Sequence, residues 1–211
     1  MENITIPVPA DIMRAIRLFA ATTDIRHYLN GVCVDVGPCG ARLIATDGHM
    51  LAIAHVPFDG ADIIVPFQAI IPNESLANVK AKNVNPVTLA MECEKDSTTQ
   101  RQFTVRGDKV QVSGVTIDGS FPNWQRVIPK ECSGELAQFN PRYLGIIGKA
   151  ADILVGTVKS SSGNRFPSCP MIHHNGENAA IVNIRHDFLA VVMPIRSDRK
   201  TILDIPSWVH A

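Results

Sequence analysis

Asp47 and His49 stand two apart in ATDGHM, and His173 and His174 are adjacent. An acid beside a histidine could orient a general base, and paired histidines could begin a metal site. Neither arrangement survives its own spacing. Adjacent histidines on a strand point to opposite faces and cannot easily share one metal, and Asp47-Gly48 is a turn signal joining two strands. No GxSxG, P-loop, HExxH or dinucleotide fingerprint occurs. The five cysteines, Cys33, Cys39, Cys93, Cys132 and Cys169, are odd in number and form no CxxC pair. That pattern argues for reduced thiols rather than a disulfide framework or structural zinc. The residues predict a protein that binds rather than catalyses, with no metal and no cofactor.

The chain of 211 residues suits one large or two small domains, and 45% hydrophobic content is enough to bury a core. Disorder is excluded on the same ground. Twenty basic and twenty acidic side chains give a formal net charge of +0, which excludes indiscriminate coating of nucleic acid unless positive charge is locally sorted. The start, MENITIPVPADIMRAIRLF, has no basic stretch followed by a long apolar run. No segment reaches the roughly 20 uninterrupted apolar residues of a membrane span, so the expected location is the cytoplasm.

The elements that must carry these residues recur in one order. ITIPVP (4–9) reads as a strand, and ADIMRAIRLFAATT follows with Ile12, Ile16 and Phe19 at helical spacing and Arg14 and Arg17 on the other face. Three β-rich runs follow: 31–36, 41–46 and 50–56. A second pass takes 61–66 as a strand, a helical stretch from Ile70 to Lys80, and then PVTLAMEC, RQFTVRG and KVQVSGVTI, with Arg106-Gly107-Asp108-Lys109 as a hairpin turn. A third takes GELAQFN (134–140) as a strand, PRYLGIIGKAAD as a helix, and ILVGTVKS, CPMIHHNG and AAIVNIRHDFLAVVMPI as strands, with 160–168 a surface loop. The sequence therefore predicts an α+β chain of three repeated β-α-β-β-β units. The tail TILDIPSWVHA carries Ile202, Leu203, Ile205 and Trp208, which should dock on this chain or a neighbour.

Four segments in this order, DIRHYLNGVCVDV (24–36), ATDGHMLAIAH (45–55), DGSFPNWQRVIP (118–129) and AVVMPIR (190–196), resemble the β subunit of bacterial DNA polymerase III, the sliding-clamp family. The resemblance covers roughly residues 8 to 196 and is weakest between 133 and 188. It implies the DNA-clamp fold, with helices on the inner face and antiparallel sheets outside. It also implies a complete clamp domain over 1–129 (units 1–60 and 61–129), a shortened clamp domain of one unit over 130–197, a tail over 198–211, and no counterpart of the family's first domain.

Two sites follow from the resemblance. Clamps hold duplex DNA topologically through a basic lining without reading bases, which makes Arg14, Arg17, Lys80, Lys82, Arg142 and Lys149 the expected DNA-facing residues. Their second site takes short peptides from polymerases, the clamp loader and repair proteins, using apolar walls and a few polar groups. The matching positions are Leu29, Thr46, Gly48, His49, Met50, Leu51, Pro122, Arg126, Val127, Val191 and Met193. Met50 stands where the family usually has arginine and Ile195 where it usually has methionine.

The expected function is a processivity factor that encircles duplex DNA non-specifically and tethers peptide-bearing partners. Family rings hold about twelve units, so chains of three units would close as a head-to-tail tetramer. The alternative is a non-encircling, clamp-derived adaptor that sequesters clamp-binding peptides and regulates replication. The tail could instead fill the chain's own pocket or seal a subunit interface.

Overall fold

The computed structural model describes residues 2–58, 66–77, 86–93, 100–159, 161–163 and 165–196. Lys80, Lys82, most of the expected 61–66 strand and the tail lie outside the described residues.

The first unit is β1 (Glu2–Val8), α1 (Ala10–Ile16), β2 (Gly31–Gly37), β3 (Gly40–Thr46) and β4 (Met50–Val56). Its helix is shorter than the 10–23 span read from the sequence. After Ile16 the chain tightens into a 3-10 turn, Arg17–Phe19, which brings Phe19 fully into the core. The second unit is β5 (Phe67–Pro72), α2 (Asn73–Ala77), β6 (Val87–Cys93), β7 (Gln102–Arg106) and β8 (Gln111–Val115). The expected helix start at Ile70 moves to Asn73, because Ile70 and Ile71 belong to a β-branched run that ends at Pro72.

The third unit departs from the repeat. Residues 134–140 form no strand, and the unit opens on α3 (Pro141–Leu154), where the Asn140 side chain accepts the Arg142 N–H and Pro141 takes the first helical position. The helix continues to Leu154 and absorbs residues assigned above to a strand. Next come β9 (Thr157–Lys159), β10 (Arg165–Pro167), β11 (Met171–His173), β12 (Ala180–Arg185) and β13 (Phe188–Val192). The β9–β10 ribbon replaces part of the expected loop. The long run from Ala179 is a hairpin turning at His186-Asp187.

Among the described residues all strand pairs are antiparallel, which with the helices is an α+β fold. One sheet runs β1-β6-β7-β8 and another β11-β12-β13-β4-β3-β2-β5. The leading strand of each of the first two units crosses to the other unit's strands, β1 onto β6 and β5 onto β2. The third unit joins by its last strand: β13 pairs with β4 from Phe188↔Ala54 to Val192↔Met50.

Strand alternation gives the large sheet two faces. Val34, Leu43, Ala52, Ala54, Ala190 and Val192 point to the helix side and share one core with Ile12 and Ile16 of α1 and Ile147, Ala151 and Leu154 of α3. Cys33, Ile44, Leu51 and Val191 point to the opposite side, where Phe121 and Trp124 cover them. Burial pushes the Cys33 thiol up, so it packs as a neutral apolar group. Among the described residues no helix is long and apolar enough to cross a membrane.

One polar cluster fastens the third unit to the first. Arg185 donates to Asp11 of α1 at 2.6 Å, to Asp187 across its own hairpin at 2.6 Å, and to the Leu154 carbonyl at the end of α3 at 3.1 Å. Removing the guanidinium leaves two half-buried carboxylates and a helix-end carbonyl without that donor. Arg185→Ala should therefore lower stability by about 1–3 kcal/mol, read as a lower urea midpoint with an unchanged slope; an unchanged midpoint would show that the cluster does not hold the third unit.

Candidate functional site

The site is built around the turn between β3 and β4. The Thr46 hydroxyl donates to the Met50 carbonyl at 2.7 Å and accepts the Gly48 N–H at 3.0 Å. Asp47 Oδ1 accepts the backbone N–H groups of His49 and Met50, each at 2.9 Å. Gly48 at the tip has φ +92°, in the left-handed region where a side chain is strained. TDGHM is thus a side-chain-locked turn. Asp47 holds backbone, and the His49 ring stacks on Tyr143 of α3, centroids 5.8 Å apart and planes inclined 17°. This geometry gives Asp47 a structural duty in place of the general-base pairing.

Three other segments meet the turn. The Met193 N–H donates to the His49 carbonyl at 2.9 Å, fixing the end of β13 against it. The loop before β2 brings Arg26 so close that a Cβ on Gly48 would lie 3.0 Å from the guanidinium. The segment after β8 crosses the outer face of the sheet: Gly119 lies against Tyr28, and Phe121 and Trp124 pack in the cluster with Leu51 and Val191. Among buried side-chain nitrogens and oxygens of the described residues, Trp124 Nε1 alone lacks a hydrogen-bond partner. The Ile195 N–H donates to the Gln138 carbonyl at 2.7 Å, tying the chain beyond Met193 to the segment that leads into α3.

The expected peptide-site residues divide by exposure and by face. Leu51 and Val191 are buried partners in the outer cluster, and Leu29 is buried in the loop before β2. Thr46 is half-buried, while Gly48, His49, Pro122 and Arg126 are exposed. Val127, Met193 and Ile195 are exposed apolar side chains at 45%, 37% and 48%, the feature a binding surface has and a core lacks. Met50 stands apart: one position from Leu51, it points to the helix side and packs in that core.

Arg26, Tyr28, Phe121, Trp124 and Tyr143 were not among the expected site residues. Arg26 lies three positions before Leu29 in the quoted segment DIRHYLNG. Tyr143 reaches His49 only because α3 packs beside α1.

The expected DNA-facing residues lie on the helices. Arg142 and Lys149 are exposed, seven positions apart on α3, opposite the stripe of Ile147, Ala150, Ala151 and Leu154. Arg14 and Arg17 are half-buried, and Arg17 Nε donates to Asn73 Oδ1 at 3.3 Å, where α2 begins. Burial lowers the Arg17 pKa without removing its charge.

His173 Nε2 lies 3.3 Å from Asn183 Nδ2, and His174 Nδ1 accepts the Ala137 N–H at 3.1 Å. No group of three His, Cys, Asp or Glu among the described residues could hold an ion.

Antiparallel sheets backed by helices on one face are a clamp-type fold. Residues 6–123 match the family described as the DNA polymerase III beta subunit, central domain, and the chain belongs to that family. The beta sliding clamp of Caulobacter vibrioides is 27% identical over 141 residues, 65% of this chain and 37% of that protein. The Escherichia coli clamp is 30% identical over 123 residues, 56% and 31% of the two chains. The fold is similar to the Bacillus subtilis DNA polymerase sliding clamp, with TM-score 0.63, 15% identity and coverage of 93% of this chain and 64% of that one. The Helicobacter pylori beta clamp bound to DNA ligase peptide gives TM-score 0.60 at 13% identity, covering 92% and 65%. The chain thus matches about a third of the length of these curated relatives.

Electrostatics at the rim can be measured. Arg26 donates to Asp24 at 2.8 Å, and this hydrogen bonding holds the Asp24 carboxyl at about 2, below its ordinary 3.8. The folded-state pKa is depressed, so the pairing is intact above the ordinary value and is lost as pH falls through about 2. Arg26→Ala should raise the Asp24 midpoint, followed by carboxyl NMR, part of the way toward the ordinary carboxylate range, because the backbone N–H of residue 26 still donates to Asp24 Oδ1; an unmoved midpoint would assign the shift to another group.

Proposed function

We propose that this chain is a clamp-type processivity factor that holds duplex DNA without reading sequence and tethers a partner by a short apolar peptide seated beside the β3–β4 turn. The observation that carries the tethering is the convergence of Gly48, His49 and Met193, from segments far apart in sequence, beside a buried cluster of Leu51, Val191 and Trp124. Met193 and Val127 supply exposed apolar contact, and Met193 is flexible enough to suit several side chains. Arg26 and Arg126 offer donors for backbone carbonyls or acidic side chains at the rim. The Helicobacter pylori relative, captured with a DNA ligase peptide, supports this chemistry.

The DNA-facing surface is the helix side, with Arg142 and Lys149 on α3 and Arg14 and Arg17 at α1; Lys80 and Lys82 join it from sequence alone. Boundaries of 1–129, 130–197 and 198–211 give three units, and four such chains supply the twelve units of a ring. Polymerase, clamp loader and repair proteins are the partners.

Replacing Met193 by Asp should weaken binding of a labelled peptide with two apolar anchors by about 30-fold, the loss expected for a buried contact of about 2 kcal/mol, with the melting temperature preserved. Unchanged anisotropy titrations would overturn the pocket. For DNA, the protein should stay on a closed circle during gel filtration and leave once the circle is cut. Retention on the cut DNA excludes encirclement. Peptide binding without retention on either form identifies the alternative adaptor.

A further inference from the structure

The apolar floor of the peptide site is already occupied. Leu51 of β4 and Val191 of β13 are register partners on the outer side of the large sheet, and each stands at a position matched to peptide contact. Yet they are only 4% and 2% exposed. Their cover is the segment after β8, which sends Phe121 and Trp124 into their cluster and packs Ile128 at its margin. A partner's apolar anchor therefore finds the chain's own side chains where it would seat.

Trp124 is held differently from its neighbours. Pro122, Asn123, Gln125, Arg126 and Val127 are all exposed, so between Phe121 and Ile128 the indole is the one side chain that enters the cluster. Little else fixes this stretch. Its turn bonds, Arg126 N–H to the Asn123 carbonyl and Ile128 N–H to the Gln125 carbonyl, are both 3.4 Å, longer than the roughly 2.7–3.2 Å of a good N–H···O bond, and Asn123 makes no side-chain cap. The indole is also penalised where it lies. Its Nε1 exposes less than 1 Å² and has no acceptor. A donor sealed in this way costs about 1–3 kcal/mol, which is recovered once the ring leaves the cluster.

We propose that Trp124 is a built-in plug of the peptide site: a partner's bulky apolar anchor displaces the indole from Leu51 and Val191, and the freed N–H then meets water or a peptide carbonyl. Opening of this kind rests on the tethering reading above and adds to it how the site admits a ligand and which ligands it admits. Losing the contacts of a buried tryptophan ring costs about 3–5 kcal/mol, and releasing the unpaired N–H returns about 1–3 kcal/mol. The balance disfavours the open form by about 2 kcal/mol, so about one molecule in 30 is open without a partner. A leucine- or phenylalanine-sized anchor gains about 1.5–3 kcal/mol on burial and offsets this, whereas one methyl group at about 0.8 kcal/mol does not. The plug thus selects partners by anchor size. The β3–β4 turn, locked by Thr46 and Asp47, is the fixed wall of the site, and the stretch 122–127 is the moving one.

In the full chain, Trp208→Phe leaves Trp124 as the only tryptophan. The free protein should emit in the blue and resist acrylamide quenching. An unlabelled, tryptophan-free peptide with two leucine anchors, added at a concentration that saturates the anisotropy of its labelled form, should shift the emission to the red and make it quenchable. Saturated protein whose Trp124 emission and quenching match those of the free protein overturns the plug and leaves the tethering reading standing; a peptide that gives no anisotropy change overturns both. Trp124→Ala removes the competing ring, so the labelled peptide should bind about 30-fold more tightly, the equivalent of about 2 kcal/mol, while the urea midpoint falls. Equal or weaker peptide binding by a folded Trp124→Ala protein overturns the plug, and if that variant fails to fold, the emission of Trp124 decides.

Discussion

The pairing of β13 with β4 is the constraint on which the rest of this structure depends. Strands from the first and third units lie side by side in one register, from Phe188↔Ala54 to Val192↔Met50. Because side chains alternate with a period of two, the register decides every contact on both faces. It sets Val191 against Leu51 on the outer side and Val192 beside Met50 on the helix side. It also carries α3 against α1, which lets Tyr143 stack on His49. A slip of one residue would turn Val191 into the helix core and move Met193 away from the β3–β4 turn. The Arg185 cluster guards this register by tying the β12–β13 hairpin to Asp11 and to the end of α3.

The same sheet therefore does two jobs with one set of strands. Its helix side is a dry core of small and branched side chains, Ala52, Ala54, Ala190 and Val192 among them, that lets two helices pack closely. Its outer side is covered by Phe121 and Trp124, and exposed apolar groups remain at Val127 and Met193. Rigidity at that edge comes from local chemistry: Thr46 and Asp47 satisfy the turn's own backbone, and Gly48 supplies the one positive φ in it. A partner meeting a preformed surface loses less to ordering it.

Much of this was legible in the residues because the repeat is local. Strand alternation, the Asp47-Gly48 turn and the cap at Asn140 are short-range signals, and the first two units follow the predicted order. Errors arose where a tertiary partner decides the outcome. GELAQFN has strand-like composition but finds no sheet partner among the described residues, so it runs outside the sheets, bonded to His174 and Ile195. Met50 and Leu51 are equally apolar, and only the register of β4 sends one to each face. Tyr143 and His49 belong to the third and first units, and no spacing rule connects them. Arg26 is different: it lies within DIRHYLNGVCVDV, and its role becomes visible through the loop that folds it onto Gly48.

The zero net charge can be resolved by location. The charged residues on α1, α3 and the 3-10 turn after α1 are Asp11, Arg14, Arg17, Arg142, Lys149 and Asp152. Arg185 engages Asp11 and Asp187, each at 2.6 Å, so one guanidinium serves two carboxylates. These elements carry four cations against Asp11 and Asp152. The field near a surface follows its nearby charges, because opposite charges more than about 10 Å away are screened at ordinary salt. A balanced total is therefore compatible with a positive helix side, because cations outnumber carboxylates on these elements, while Arg185 holds the third unit in place.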